Sequence, residues 1–75
     1  MPRPVDLKIV VRVLRAHGFF FVSQKGSHAK FRKMGAQTRT VIVKMSKKQI
    51  PRGTFQSILL QSGLSESDFF ASEAI

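Results

Sequence analysis

The chain has no cysteine, tryptophan or tyrosine, and only four acidic residues. Without cysteine there can be neither a disulfide nor a thiolate-held zinc ion. A chain of 75 residues must then be held by one small hydrophobic core, near the size at which such cores stop being sufficient. The lack of disulfides fits a reducing compartment, and a cytoplasmic location is expected. Long apolar runs are also missing. The longest is Phe19-Phe20-Phe21-Val22, against about 20 residues for a membrane helix, so no membrane association is expected. The opening MPRPVDLK has no continuous apolar core before a small-residue cleavage site, which predicts no signal peptide. No repeat, low-complexity stretch or linker interrupts the sequence, and residues 1–75 read as a single domain.

What is abundant is positive charge. Thirteen Lys and Arg against four acids give a formal net charge of +9. Three of the acids, Glu66, Asp68 and Glu73, fall in the last ten residues, so residues 1–65 hold all thirteen cations against Asp6 alone. Such a surface repels itself unless it meets a polyanion. Nucleic acid is the leading candidate, because neutralising phosphates releases counterions and gives strong, salt-sensitive binding. An acidic protein partner satisfies the same charge.

Hydrophobic spacing predicts the elements. In residues 6–16, Leu7, Val10, Val11 and Leu14 repeat at helical intervals, with Lys8, Arg12 and Arg15 opposite. Asp6 stands at the N-cap position and Gly18 at the stop. Residues 19–24 and 28–33 read as a hairpin around Lys25-Gly26-Ser27, with Gly26 supplying positive φ. Residues 39–44 form a third strand after a reversal at Gly35. A polar connection over 44–53 leads to a helix at 54–61, with Thr54 as N-cap and Gly63 as the stop. Ser65-Glu66-Ser67-Asp68 then caps a last helical turn carrying Phe69 and Phe70. The expected fold is α+β, ordered α-β-β-β-α: a three-stranded antiparallel sheet with the helices on one face, and a short C-terminal helix.

Strand alternation singles out one residue. Along 28–33 it puts His28, Lys30 and Arg32 on the open face and Ala29, Phe31 and Lys33 on the other, where Phe31 belongs against the helices. An imidazole titrates near 6.5 and can both accept and donate a proton around neutrality. RNA carries its own nucleophile, the 2′-OH beside each phosphate. A protein that neutralises the phosphate and moves one proton therefore needs neither a metal nor a cofactor, and none is expected. Positioned acid–base catalysis is worth roughly 10²–10⁴-fold. Most surface histidines beside turns have no chemistry, and charge and alternation alone leave that reading the stronger of the two. The other histidine, His17, suits the negative end of the first helix.

A set of motifs runs along almost the whole chain: Gly18-Phe19, then Gln24-Lys25-Gly26-Ser27-His28, Phe31-Arg32-Lys33 and Thr40-Val41-Ile42-Val43. Ile50-Pro51-Arg52-Gly53-Thr54, Ser57-Ile58-Leu59, Gln61-Ser62-Gly63-Leu64-Ser65 and Phe69 follow. From about residue 7 to residue 70 the chain resembles the HicA family of toxin ribonucleases, the partners of HicB antitoxins. The resemblance implies a double-stranded-RNA-binding-domain-like α-β-β-β-α fold, in agreement with the order read from spacing. It also implies that His28 is the catalytic residue of an mRNA interferase, an endoribonuclease, and that a HicB-like antitoxin is the protein partner. Two positions depart from the family pattern. A proline and a histidine often follow the third strand, where this chain has Val43-Lys44-Met45-Ser46, and Ala29 replaces a polar residue after His28.

Around His28, the residues expected to follow the RNA backbone are Lys25, Gly26, Ser27, Lys30 and Arg32. Lys47, Lys48 and Arg52 are added because they precede a helix whose free N–H groups favour phosphate. Ser27 serves equally as a turn cap. Gly18-Phe19-Phe20-Phe21-Val22 imitates part of an RRM signature but has Phe20 where a small residue is needed and Gln24 where an aromatic is needed. These phenylalanines are expected mainly in the core. The alternatives to a ribonuclease are a non-catalytic RNA-binding module of the same fold and an antitoxin-docking domain without activity.

Overall fold

The computed structural model describes residues 5–73. Residues 1–4 of the N-terminal reading and 74–75 at the end of the expected domain lie outside the described residues. The elements are β1 (Val5–Asp6), α1 (Leu7–Ala16), β2 (Phe20–Lys25), β3 (His28–Lys33), β4 (Arg39–Lys44), β5 (Gln49–Ile50), α2 (Arg52–Ser62) and α3 (Glu66–Glu73). β2, β3 and β4 form an antiparallel meander in that order, and β1 pairs with β5 in a separate two-stranded ribbon. This is the α+β, double-stranded-RNA-binding-domain-like architecture expected from the sequence.

The core explains the layering. Ala29 and Phe31 of β3 and Val41 and Val43 of β4 are buried on the sheet's inner face. Against them lie Val10, Val13 and Leu14 of α1, Phe55 and Ile58 of α2, and Phe69 of α3. The Phe55 and Phe69 rings meet edge-on at 5.1 Å, an arrangement aromatic pairs prefer over a face-to-face stack. Ile9 and Val11 pack partly buried on the same cluster, so the wide apolar stripe of α1 serves the core. Lys8, Arg12 and Arg15 face solvent.

Two helix ends have an identifiable cause. α2 stops at Gly63, whose φ of +74° is cheap only for glycine. A Cβ there would lie 2.8 Å from the guanidinium carbon of Arg39. That cation thus sits over the negative end of the helix, where it is favoured. α3 opens on one arm of a capping box, the carboxylate reaching back to the N-cap N–H. The Ser65 backbone N–H and hydroxyl both donate to Asp68 Oδ2, at 2.9 and 3.1 Å, and the Asp68 N–H donates back to the Ser65 carbonyl at 3.1 Å. Those two bonds to the carboxylate, with His17 nearby, hold the Asp68 carboxyl below its ordinary range.

Several local expectations are corrected. The hairpin turn has two residues, not three. Lys25 pairs with His28, leaving Gly26 (φ +61°) and Ser27 as the turn. Positive φ at the first central residue only is the II′ pattern, which matches the twist of the flanking strands. The connection over 44–53 is not all loop, because Val5 pairs with Ile50 and Asp6 with Gln49. Asp6 precedes α1 but makes no side-chain cap bond, and the Leu7 N–H instead donates to the Lys48 carbonyl at 2.7 Å. α2 begins at Arg52 after Pro51, so Thr54 lies inside the helix instead of capping it. The last helix continues to Glu73. Of the three consecutive phenylalanines only Phe19 is buried, since Phe20 and Phe21 are each 47% exposed.

The two free edges of the sheet differ. On β4 the outward-facing Ile42 N–H donates to Gln61 Oε1 of α2 at 3.0 Å, which blocks that edge. On β2 every residue is exposed, and a bulge at Val22 shifts the register between Phe21 and Ser23.

Candidate functional site

The register of the meander builds the outer sheet face in three rows. Residues directly opposite in an antiparallel pair project to the same face. The first row, next to the II′ turn, is Lys25–His28–Lys44. The second is Ser23–Lys30–Ile42, and the third is Phe20–Arg32–Thr40. Four cations and one imidazole thus share a surface with no acid. His28 stands at its end, exposed, in the central strand with a lysine across from it on either side. Phe31, 1% exposed on the inner face between the second and third rows, anchors the strand from behind.

The His28 backbone is held on both sides. The ladder to β4 continues past it, with the Met45 N–H donating to the Ser27 carbonyl at 2.6 Å. Gln24 Nε2 donates to the Gly26 carbonyl at 2.9 Å and braces the turn. A histidine at the mouth of a two-residue turn, in the middle of three strands, has a fixed Cα position and an unobstructed ring. Pre-organisation of this kind is what a proton-transfer group requires.

The expected site residues divide into groups. Lys25, Lys30 and Arg32 share the His28 face, and Gly26 and Ser27 form the turn beside it. Lys47 is joined to that face through Lys44, because both line a small cavity of about 60 Å³ with Gln49, Ile50, Pro51 and Thr54 at the start of α2. Lys48 lines a groove with Asp6, Leu7 and Lys8. Arg52 is engaged elsewhere, its Nη1 2.9 Å from Glu66 Oε1. An ion pair of this exposure is worth about 0–1 kcal/mol, and it directs the guanidinium toward the start of α3.

Lys44 and Phe20 were missed by the sequence reading, and both have readable causes. A five-residue connection over 34–38 sets Lys33 opposite Arg39, and counting back along both strands sets His28 opposite Lys44. Phe20 faces outward beside Arg32 while Phe21 turns inward toward Phe31 at 5.9 Å. Among the described residues no three His, Cys, Asp or Glu side chains gather as a metal-binding group, and no helix is long and apolar enough to cross a membrane.

A dsRBD-like α+β domain presenting a basic sheet face around one histidine is the class that fold and surface define. The family model described as "HicA toxin of bacterial toxin-antitoxin" matches residues 8–64, which takes in all of α1 but Leu7, the whole meander, α2 and the Gly63 stop. The chain therefore belongs to the HicA toxin family of toxin–antitoxin systems. Membership implies an antitoxin partner. Among curated proteins, none matches the chain.

Proposed function

We propose that this toxin is a metal-independent endoribonuclease of mRNA, with His28 as general acid/base. The observation that carries the reading is the row Lys25–His28–Lys44: one proton-transfer group with a cation on each side, on a face without acids. RNA phosphates bound along Lys25, Lys30, Arg32 and Lys44 bring a 2′-OH to the imidazole. His28 takes the 2′ proton as the 2′-oxygen attacks the adjacent phosphorus, and returns it to the departing 5′-oxygen. The bond from phosphorus to that oxygen breaks, leaving a 2′,3′-cyclic phosphate and a 5′-OH. The flanking lysines offset the extra negative charge of the pentacovalent state, and electrostatic stabilisation of that kind is often the largest catalytic contribution. A HicB-like antitoxin that covers this face would silence the enzyme, and the cytoplasm is where both mRNA and such a partner are met.

Purified protein incubated with single-stranded RNA is expected to cut it at the same rate with and without a chelator. Loss of cleavage in chelator would put a metal in the reaction. RNA bound with a steep salt dependence but left intact would instead establish a non-catalytic binding module, and no affinity at low salt would leave only antitoxin docking.

A further inference from the structure

The proposed chemistry leaves the one phenyl ring of the outer face without a role. Phe20 stands in the third row, opposite Arg32, and is 47% exposed although it belongs to a six-residue strand paired along its length. It contributes nothing to the buried core, which takes Phe19 and Phe31 instead. Phe21, its neighbour, turns to the inner side and meets Phe31. β2 is the open edge of the sheet and each of its residues is exposed, whereas at the opposite edge the Ile42 N–H is taken by Gln61.

We infer that Phe20 is a stacking platform for a nucleobase of single-stranded RNA; this rests on the RNA-cleaving reading of the same face. Proteins that hold single strands combine cations tracking the backbone with an aromatic ring on which a base lies. Here the cations are Lys30 and Arg32 in the adjoining strand, and the ring is at the end of the Arg32 row. Phe20 is four residues along the strands from the His28 row. At about 3.3 Å per residue that is roughly 13 Å, so the stacked base is not the one beside the cut phosphate. It fixes the path of the chain away from His28. Bases inside a duplex are already stacked on their neighbours, so the platform favours an unpaired strand. A protein strand added to β2 is the competing occupant. The outer face argues against it, since the register sets Phe20 opposite Arg32 with Lys30 in the next row, a charge that favours a polyanion over a neutral strand.

The chain has no tryptophan, so Phe20→Trp introduces a single fluorophore at the site. In a His28→Ala background, which keeps the probe intact, Phe20→Trp fluorescence is expected to be quenched by a short single-stranded oligoribonucleotide and much less by a duplex of the same length. Phe20→Ala in that background is expected to weaken single-strand binding about 5–150-fold. Its salt dependence should be unchanged, because no cation is lost. Undiminished affinity in Phe20→Ala, with Phe20→Trp unquenched, would overturn the platform while leaving RNA binding intact, and would return the β2 edge to a protein partner. No RNA affinity in the His28→Ala parent would overturn the platform and the ribonuclease reading together.

Discussion

His28→Ala is expected to lower the rate of RNA cleavage by about 10²–10⁴-fold, the range of positioned acid–base catalysis. That corresponds to roughly 3–5 kcal/mol in the barrier. The ring is exposed and makes no packing contribution to the core, so the thermal unfolding midpoint should stay where it was. Surface substitutions of this type usually shift stability by no more than about 0.5 kcal/mol. RNA affinity should fall little, since Lys25, Lys44, Lys30 and Arg32 remain. Growth arrest on expression should disappear with the rate. Cleavage and arrest that persist undiminished would remove His28 from the chemistry.

Phe31→Ala is expected to act through the opposite link, stability. Phe31 is 1% exposed in the central strand and is among the largest fully buried side chains of the domain. Truncating such a ring costs about 3–5 kcal/mol. A domain of 75 residues has in all about 4–11 kcal/mol to lose. The midpoint should drop by roughly 12–40 °C, with activity lost only as the protein unfolds. Circular dichroism against temperature checks this, and it separates the two variants: one inactive and folded, the other failing with its fold. A midpoint within a few degrees of the parent would mean that the inner sheet face is not the core.

Why the sequence disclosed the fold is visible in α1 and β3. Both have strong periodicity, helical in Leu7–Val10–Val11–Leu14 and alternating in Ala29–Phe31, and burial followed it. The same alternation located the face of His28, and the resemblance to the HicA family added the expectation of chemistry there. What escaped depended on partners distant in sequence. Gln49–Ile50 has no periodicity of its own and becomes a strand only because Val5–Asp6 lies beside it. The pairing of Arg52 with Glu66, 2.9 Å away across the α2–α3 junction, is likewise invisible in the spacing. The run Phe19-Phe20-Phe21 reads as uniformly apolar, yet strand alternation and the edge position of β2 divide it into core, outer face and inner rim.

Lys44 bears on what this member of the family has changed. It occupies the place where the resemblance leads one to look for a proline, and the register sets it directly across from His28. The first row is thereby more cationic than the motif alone implies. That added charge favours the phosphate-bound state in the proposed reaction, while the missing histidine at Ser46 leaves proton transfer to His28.

The central claim is that this face cuts RNA with the RNA's own 2′-hydroxyl, and the nucleophile can be removed from the substrate without touching the protein. The decisive measurement compares one single-stranded RNA with its fully 2′-O-methylated counterpart, incubated with the unaltered protein in chelator, with the ends of any products identified. The proposed chemistry gives cleavage of the RNA to 2′,3′-cyclic phosphate and 5′-hydroxyl ends, and an intact methylated strand. Cleavage of both strands, or products with a 5′-phosphate, would contradict it.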